Sequence, residues 1–357
     1  MKNTLKVFAK VLISITPDHE WLIEFWRNNR KFFQYSNILD LIWAYRKGFH
    51  IETIQLCEIT RENIHEYLSD KAYLKLHPIN KEYSKIIDNK LYLPFLFKDY
   101  PDLVPKYYYV IDNGRLVQIS PPFSGKQGLL ELCKEKHFLA LKPCSSTMGQ
   151  GFYRLEWKNN SFFLNNQSIE VAELNFFIKS LDNYLVTEYI EQNKYSADIN
   201  QSSINTVRLI CIKDTINNEF FIPISNHRFG MKGKFVDNVG AEGGGIAACI
   251  DIPTGQIKEI GCIKVNGMVK KSFNVTVHPD SKKQISGITI PNWHKMIKEV
   301  LGVMNHLSFL KYAGLDIVIT EKGFKIIEIN SLPTLLGLQL EEGVLKNAQL
   351  KRFFISK

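Results

Sequence analysis

No run in this chain approaches the roughly 20 consecutive apolar residues that a membrane-spanning helix needs, so a transmembrane segment is not expected. The N-terminal stretch interleaves Lys2, Lys6 and Lys10 with its apolar residues and offers no small-residue cleavage site, which makes a poor signal peptide. Cysteine is sparse: Cys57, Cys133, Cys144, Cys211, Cys249 and Cys262 are scattered, with no CxxC pair and no metal-type spacing. That excludes a zinc ribbon and a disulfide scaffold, and it fits a reduced, cytoplasmic setting. No thiol sits in a basic constellation legible from sequence, so none is assigned as a nucleophile. Also missing are the Gly-Lys-Ser/Thr of a P-loop and the dinucleotide-binding glycine fingerprint.

What is present is ordinary in bulk: 357 residues, 45% hydrophobic and 23% charged, which suits a soluble chain with room for two or three domains. The formal net charge of +9 comes from 45 Lys/Arg against 36 Asp/Glu. It raises nucleic acid or anionic lipid as a partner, but the excess is diffuse. Residues 1–50 carry eight Lys/Arg against four Asp/Glu and the next fifty are near balance. The expectation is therefore no nucleic-acid partner, with lysines committed in part to phosphate-bearing ligands. Peripheral membrane association stays open.

Residues 1–84 read as a mostly helical region. Pro17-Asp18 opens a segment in which Leu22, Phe25, Trp26 and Phe33 recur near helical spacing. Ile38, Leu39, Ile42 and Trp43 make a second apolar stripe that Gly48 ends. These aromatics read as core rather than as a ligand site. The region builds a substrate pocket or docks a partner, and sequence does not choose between the two. From residue 85 the character changes. Lys90 opens a short helix-like run, and Phe138-Leu-Ala-Leu-Lys142-Pro ends a strand before Cys144-Ser-Ser-Thr-Met-Gly149-Gln-Gly151. A lysine at a strand end before such a loop suits phosphate. Glycines let the backbone close over the oxygens, and N–H and hydroxyl groups of Ser145, Ser146, Thr147, Gly149 and Gly151 then donate to them. The alternative is an unliganded glycine-rich hairpin turn.

Downstream, Tyr184-Leu-Val-Thr-Glu-Tyr-Ile-Glu191 reads as a strand whose end, Glu188 to Glu191, is able to face an adenine edge and ribose hydroxyls. Arg208 lies between Val207 and Leu209, so strand alternation sends it to a polar face, where its rigid fork suits phosphate or carboxylate. Asn226-His-Arg228 and Glu242-Gly-Gly-Gly245 follow; the glycines suggest close backbone approach to a ligand, or a bulge. Structural ion pairs are the other reading for Arg208 and Arg228. Pro291-Asn-Trp293 leads into a helix over about 293–308, with Met296, Val300, Val303, Met304 and Leu307 on its apolar side.

The most informative stretch runs from Ala313 to Pro333: two β-branched runs joined at Glu321-Lys322-Gly323, a β-hairpin. A symmetric three-residue turn sets Thr320 against Phe324 and Asp316 against Glu328, with Asn330 on the same face as Glu328. Two opposed carboxylates destabilise a strand pair unless something positive lies between them. Oxygen-only ligands of this kind suit Mg²⁺, which keeps its other positions for water and phosphate.

In order along the chain, Lys90, Lys142-Pro with the Ser/Gly loop, the Glu188 strand, Arg208 and Asp316…Glu328-x-Asn330 resemble the ATP-grasp superfamily. The arrangement is similar to D-alanine–D-alanine ligase and the glutamate-adding ligases. More narrowly, Asn205-Thr-Val-Arg208, Glu242-Gly-Gly-Gly245, His278-Pro279 and Pro291-x-Trp293 resemble the sugar-transfer-associated ATP-grasp subfamily, associated with bacterial surface polysaccharide synthesis. The resemblance implies an α+β fold in which two subdomains grip ATP, 85–190 with the lysines and loop and 191–357 with the metal and phosphate site. It implies that Lys90, Lys142, Ser145, Ser146, Thr147, Gly149, Gly151, Glu188, Tyr189, Ile190 and Glu191 bind ATP, with Glu191 or Asp198 on the ribose. Asp316, Glu328 and Asn330 would hold one or two Mg²⁺ (Mn²⁺ as an alternative), and Arg208 and Arg228 would be catalytic. The implied reaction joins a small-molecule or glycan carboxylate to an amine. The alternatives are a kinase acting on a sugar or small-molecule hydroxyl, and a non-catalytic nucleotide- or glycan-binding protein.

Overall fold

In a computed structural model, residues 18–30, 36–119, 123–125, 127–146, 149–240, 244–265 and 268–355 are described. Fourteen strands form two antiparallel seven-stranded sheets. The first contains β1 (Tyr107–Asp112), β2 (Arg115–Val117), β3 (Phe138–Pro143), β4 (Tyr153–Lys158), β5 (Ser161–Leu164), β6 (Gln167–Ile169) and β7 (Tyr184–Glu188), in the order β2-β1-β7-β3-β4-β5-β6. The second contains β8 (Val207–Lys213), β9 (Phe220–Gly230), β10 (Gly245–Ile250), β11 (Ile257–Val265), β12 (Met268–Ser272), β13 (Tyr312–Thr320) and β14 (Gly323–Asn330), in the order β12-β11-β10-β9-β8-β13-β14.

Strand alternation divides each sheet into a core face and an open face. On β8, Val207, Leu209 and Cys211 are fully buried and belong to the cluster that also takes Met296, Val300, Val303 and Met304 of helix Trp293–His306. Fully burying each such side chain contributes about 1.5–3 kcal/mol relative to leaving it in water. Thr206, Arg208 and Ile210 alternate with them and face a cavity instead. In the first sheet Leu139, Leu141, Leu155 and Val186 form a second core together with residues of helices Leu129–Lys136 and Val171–Ser180.

The helical N-terminal region follows local rules with one shift of face. Asp18 accepts from Trp21 N at 3.2 Å to cap His19–Asn29, and Asn37 accepts from Asp40 N at 2.8 Å to cap Ile38–Lys47. Gly48 ends the latter in the left-handed region, with φ of 80°, the conformation that glycine supplies at a helix C-terminus. The stripe expected on Ile38, Leu39, Ile42 and Trp43 is not the one that is deepest. Leu41, Ala44 and Tyr45 pack with Trp21 and Phe25, while Leu39 is 70% exposed. The helix turned toward its aromatic neighbours, which sequence alone does not place; Phe33 lies outside the described residues.

The terminal hairpin differs from expectation near its turn and agrees at its site. The turn is tighter, pairing Thr320 with Gly323 and Ile319 with Phe324. An irregularity after Asp316 then leaves Ile327 unpaired, so that Asp316 faces Glu328 after all. A one-residue error in the turn and an unforeseen bulge cancel.

Candidate active site between the two sheets

The open faces enclose a cavity of about 750 Å³, the size of a cofactor cleft. Its floor is one row of cross-strand neighbours: Asn226 on β9 opposes Arg208 on β8, Arg208 opposes Asp316 on β13, and Asp316 opposes Glu328 on β14. A row of this kind puts side chains about 5 Å apart on one face. Arg208 grips Asp316 with both Nε and an NH2, the latter donating to Oδ2 at 3.0 Å. Arg228 donates to the same Oδ2 at 2.9 Å. Arg228 is itself held by Thr206 Oγ1, which accepts from its Nε at 3.0 Å, and it lies 3.7 Å from Asp237. Asp237 accepts from Thr206 N at 2.8 Å and from Thr206 Oγ1 at 2.6 Å.

Burial by itself would push the Asp316 carboxyl up, but the two guanidinium groups outweigh it and hold the carboxyl well below its usual range. At Asp237 burial wins and the carboxyl is raised, with Arg228 and Thr206 working against it. His227, fully buried and 2.8 Å from Tyr195 Oη, is held neutral by burial, its pKa pulled down to about 3.

The two lysines approach from the other side. Lys90 is buried; its Nζ donates to Ser146 O at 3.1 Å and pairs with Glu328 Oε1 at 3.1 Å. Lys142 is half-buried at the end of β3, with Nζ 5.7 Å from the centre of the Tyr107 ring. Burial, then the repulsion of Lys90, lowers its pKa to about 8, with Glu328 partly restoring it. Among the described residues no carboxylate is paired with Lys142. Around Asp237, Asp316 and Glu328, the cations Lys90, Arg208 and Arg228 are paired with carboxylates, and Lys142 is the one left without such a partner among the described residues. An uncompensated positive charge in a partly dehydrated cleft attracts a polyanion.

The end of β7 and the residues after it also line the cavity, at Thr187, Glu188, Tyr189 and Ile190. Glu188 accepts from Lys106 N at 3.0 Å, which ties this edge to the lead into β1. Of the loop residues, Ser146 and Gly149 line the cavity, Ser145 is exposed away from the lining, and Thr147 lies outside the described residues. Gly149, with φ of 71°, sits where an added Cβ would lie 2.3 Å from Val236 Cγ1, so the loop meets segment 231–240 of the other half over the cavity. Gly151 is set back: a Cβ there would meet Tyr184 Oη at 2.6 Å.

Neither residue expected at a ribose is brought to the cavity. Glu191 is exposed, and Asp198 is exposed and paired with Lys194 at 2.7 Å. Of the triple-glycine motif, Glu242 and Gly243 lie outside the described residues. Gly245 is there for the chain itself, because a Cβ would meet Asp237 O at 2.8 Å. His278 is also structural: buried, it contacts Gly230 O through Nε2 at 2.9 Å while Nδ1 receives Asp280 N at 3.3 Å.

The geometry adds residues that sequence reasoning missed. Thr206, hydrogen-bonded to Asp237, accepts from Arg228 Nε, so the two position Arg228 together; Thr206 lies within the Asn205-Thr-Val-Arg208 motif, whereas nothing local gives Asp237 this role. Arg154 on β4 lies 5.6 Å from the Phe138 ring, 5.8 Å from Tyr189 and 6.0 Å from Phe235, so it bridges the segment after β7 and the opposite loop. Its signal was the Arg154-x-Glu156 alternation, a same-face pair 3.3 Å apart.

Asp316, Glu328 and Asn330 supply only oxygen ligands, and the Asn330 Nδ2 is buried with no hydrogen-bond partner among the described residues. With both Asp316 oxygens already held by arginines, the set fits a divalent cation arriving with a polyphosphate better than a bare ion.

A family model described as sugar-transfer associated ATP-grasp matches residues 71–352. Among solved structures, D-alanine–D-alanine ligase from Bacillus anthracis is 14% identical, covering 76% of this chain and 67% of its own, with a TM-score of 0.38. D-alanyl-alanine synthetase A from Vibrio cholerae O1 biovar eltor is 9% identical over 76% of this chain and 65% of its own, with a TM-score of 0.41. The ATP-grasp ligase PsnB, solved with a minimal precursor, Mg and ADP, is 12% identical over 71% and 53%, with a TM-score of 0.34. This chain spans between about half and two thirds of the length of these three structures. No curated protein matches it.

Proposed function

The chain belongs to the sugar-transfer-associated ATP-grasp family, and from that membership we propose that it is an ATP- and Mg²⁺-dependent ligase joining a carboxylate to an amine. The intermediate is an acyl phosphate, and the setting is bacterial surface polysaccharide synthesis on the cytoplasmic side of the membrane. No helix among the described residues is long and apolar enough to cross a bilayer. The observation that carries the reading is the convergence of Lys90 and Lys142 from one half, and of the Arg208–Asp316–Glu328 row from the other, on one cavity.

In this reading Glu188, Tyr189 and Ile190 receive the adenine, and Lys90 and Lys142 neutralise the phosphates. The loop through Ser146 and Gly149 keeps water from the transferring phosphoryl group. Asp316, Glu328 and Asn330 would hold Mg²⁺, which would supply positive charge against the phosphates. An oxygen of the donor carboxylate bonds to the γ-phosphorus and ADP departs. The amine nitrogen then bonds to the acyl carbon, the carbon–oxygen bond to phosphate breaks, and the amine releases a proton. Arg228, braced by Thr206 and Asp237, faces the charge that develops, with Arg208 beside it. No side-chain nucleophile is required.

The test supplies ATP, Mg²⁺ and a panel of uronic acids, amino acids and amines, and measures nucleotide and free phosphate. ADP with free phosphate, released only when a carboxylate and an amine are both present, is the expected result. ADP without free phosphate, and with a phosphorylated hydroxyl compound, replaces the ligase with a kinase. Nucleotide binding without any consumption leaves a binding protein.

A further inference from the structure

The row of paired neighbours on the cavity floor ends in a group that the phosphate and metal chemistry does not use. From Glu328 it runs through Asp316 and Arg208 to Asn226 on β9, which is 8% exposed and lines the cavity. The other three are already engaged: Glu328 with Lys90, and Asp316 with Arg208 and Arg228. The side-chain amide of Asn226 makes no hydrogen bond among the described residues. A buried polar group without a partner carries a desolvation cost, which a ligand that pairs with it removes. Gly337, in helix Leu335–Gln339, approaches the same amide: a Cβ built there would lie 3.5 Å from Asn226 Nδ2. Gly337 also lines the cavity, so its missing side chain leaves the Nδ2 end of the amide accessible.

We propose that Asn226 is a specificity-determining residue for the carboxylate donor, and that the donor is a polyhydroxylated acid rather than an apolar one. The inference rests on the ligase reading and adds the donor's class to it. Asn226 stands two strands from Asp316, about 10 Å, with Arg208 between them. A carboxylate at the transferring phosphoryl group, beside Asp316 and Arg208, therefore sets the body of the donor over Asn226. The amide presents an acceptor oxygen and two N–H donors side by side. A hydroxyl both donates and accepts, so neighbouring hydroxyls pair with both ends at once. An ammonium only donates and a carboxylate only accepts, and each leaves one end unpaired. A hydrocarbon body leaves both unpaired, which is how a site built around a buried polar group rejects an analogue that lacks the hydroxyl.

The experiment is calorimetric titration of the full chain, first with a non-hydrolysable ATP analogue and Mg²⁺, then with D-glucuronate or cyclohexanecarboxylate. Both acids are built on a six-membered ring, and only the first carries hydroxyls. The expected result is that D-glucuronate binds at least about tenfold tighter. Asn226→Leu, which keeps the volume and removes the amide, narrows that preference by about fivefold or more. Gly337→Ala, which sets a methyl group against Nδ2, narrows it in the same direction. The nucleotide titration of each variant, matching wild type, shows an intact fold. Equal affinities in the wild type, binding of neither acid, or a preference that survives in both variants overturns the donor assignment alone. Failure of the wild-type chain to bind nucleotide overturns the ligase reading, and the donor assignment with it.

Discussion

The second sheet carries Asn226, Arg208, Asp316 and Glu328 as one row of paired neighbours, whereas the first offers Lys142 at a strand end and the Thr187–Ile190 edge beside a stacked Arg154. Both sheets have seven antiparallel strands, so strand number and pairing do not account for the contrast. It lies in how charge is compensated. In the second sheet Arg208 and Arg228 already have carboxylate partners in Asp316 and Asp237, which makes an internally braced floor. In the first, Lys142 lies near the Tyr107 ring with a depressed pKa and no carboxylate partner among the described residues, so under the proposed function its compensation comes from the nucleotide.

The sharpest break in that contrast is Glu328→Gln. The row keeps its shape, but one carboxylate charge is lost, and turnover should fall by about a hundredfold or more with the unfolding transition little changed. Wild-type turnover would remove Glu328 from the metal site. Asp316→Ala tests the bracing itself. It strands two guanidinium groups with side chains only 14% and 11% exposed, and stability measured by denaturant should drop by about 3 kcal/mol. A drop no larger than that of an exposed ion pair would mean that the floor is not braced as described.

A smaller effect is expected in the first sheet. Arg154→Ala removes the cation shared by Phe138, Tyr189 and Phe235, and nucleotide affinity should weaken by about tenfold with little change in kcat. A change in kcat at constant affinity would contradict a positioning role. The smallest effect is a pH trend of two opposite signs. Lys142 has its pKa lowered from 10.5 to about 8, so the folded chain releases this proton before the unfolded chain does. Below about 8 the buried charge is a fixed burden on folding; as pH rises from about 8 toward 10.5 that burden is relieved and stability increases. Nucleotide affinity should move the other way, falling as Lys142 loses its charge. Lys142→Met should flatten both trends; if the trends survive, another group is their source.

The legibility of this site from sequence follows separation along the chain. Asp316 and Glu328 belong to one hairpin, so local pairing was enough to bring them together, even with the turn misjudged by one residue and the bulge at Ile327 unseen. Arg208 could be given a polar face from Val207 and Leu209 on either side. Its partner could not be named, because Asp316 is 108 residues away and the pairing depends on β8 lying beside β13. Thr206 was legible only as part of the Asn205-Thr-Val-Arg208 motif, and the bracing role of Asp237 was not legible, since an aspartate in a loop is common everywhere. Neither ribose candidate lines the cavity. Both follow β7, but Glu191 lies beyond the last lining residue, Ile190, and Asp198 sits on the exposed side of helix Lys194–Ile199.

By itself, then, the sequence determined the strand and helix periods, the facing carboxylates of the terminal hairpin and the two lysines, because each depends on alternation, capping or turn chemistry within a few residues. Only the tertiary structure decided that both arginines converge on Asp316, that the glycine loop meets Val236, and that helix Ile51–Leu56 of the N-terminal region lines the cavity. Those facts depend on which strands become neighbours, and strand order is settled by the burial of whole faces rather than by any local run of residues.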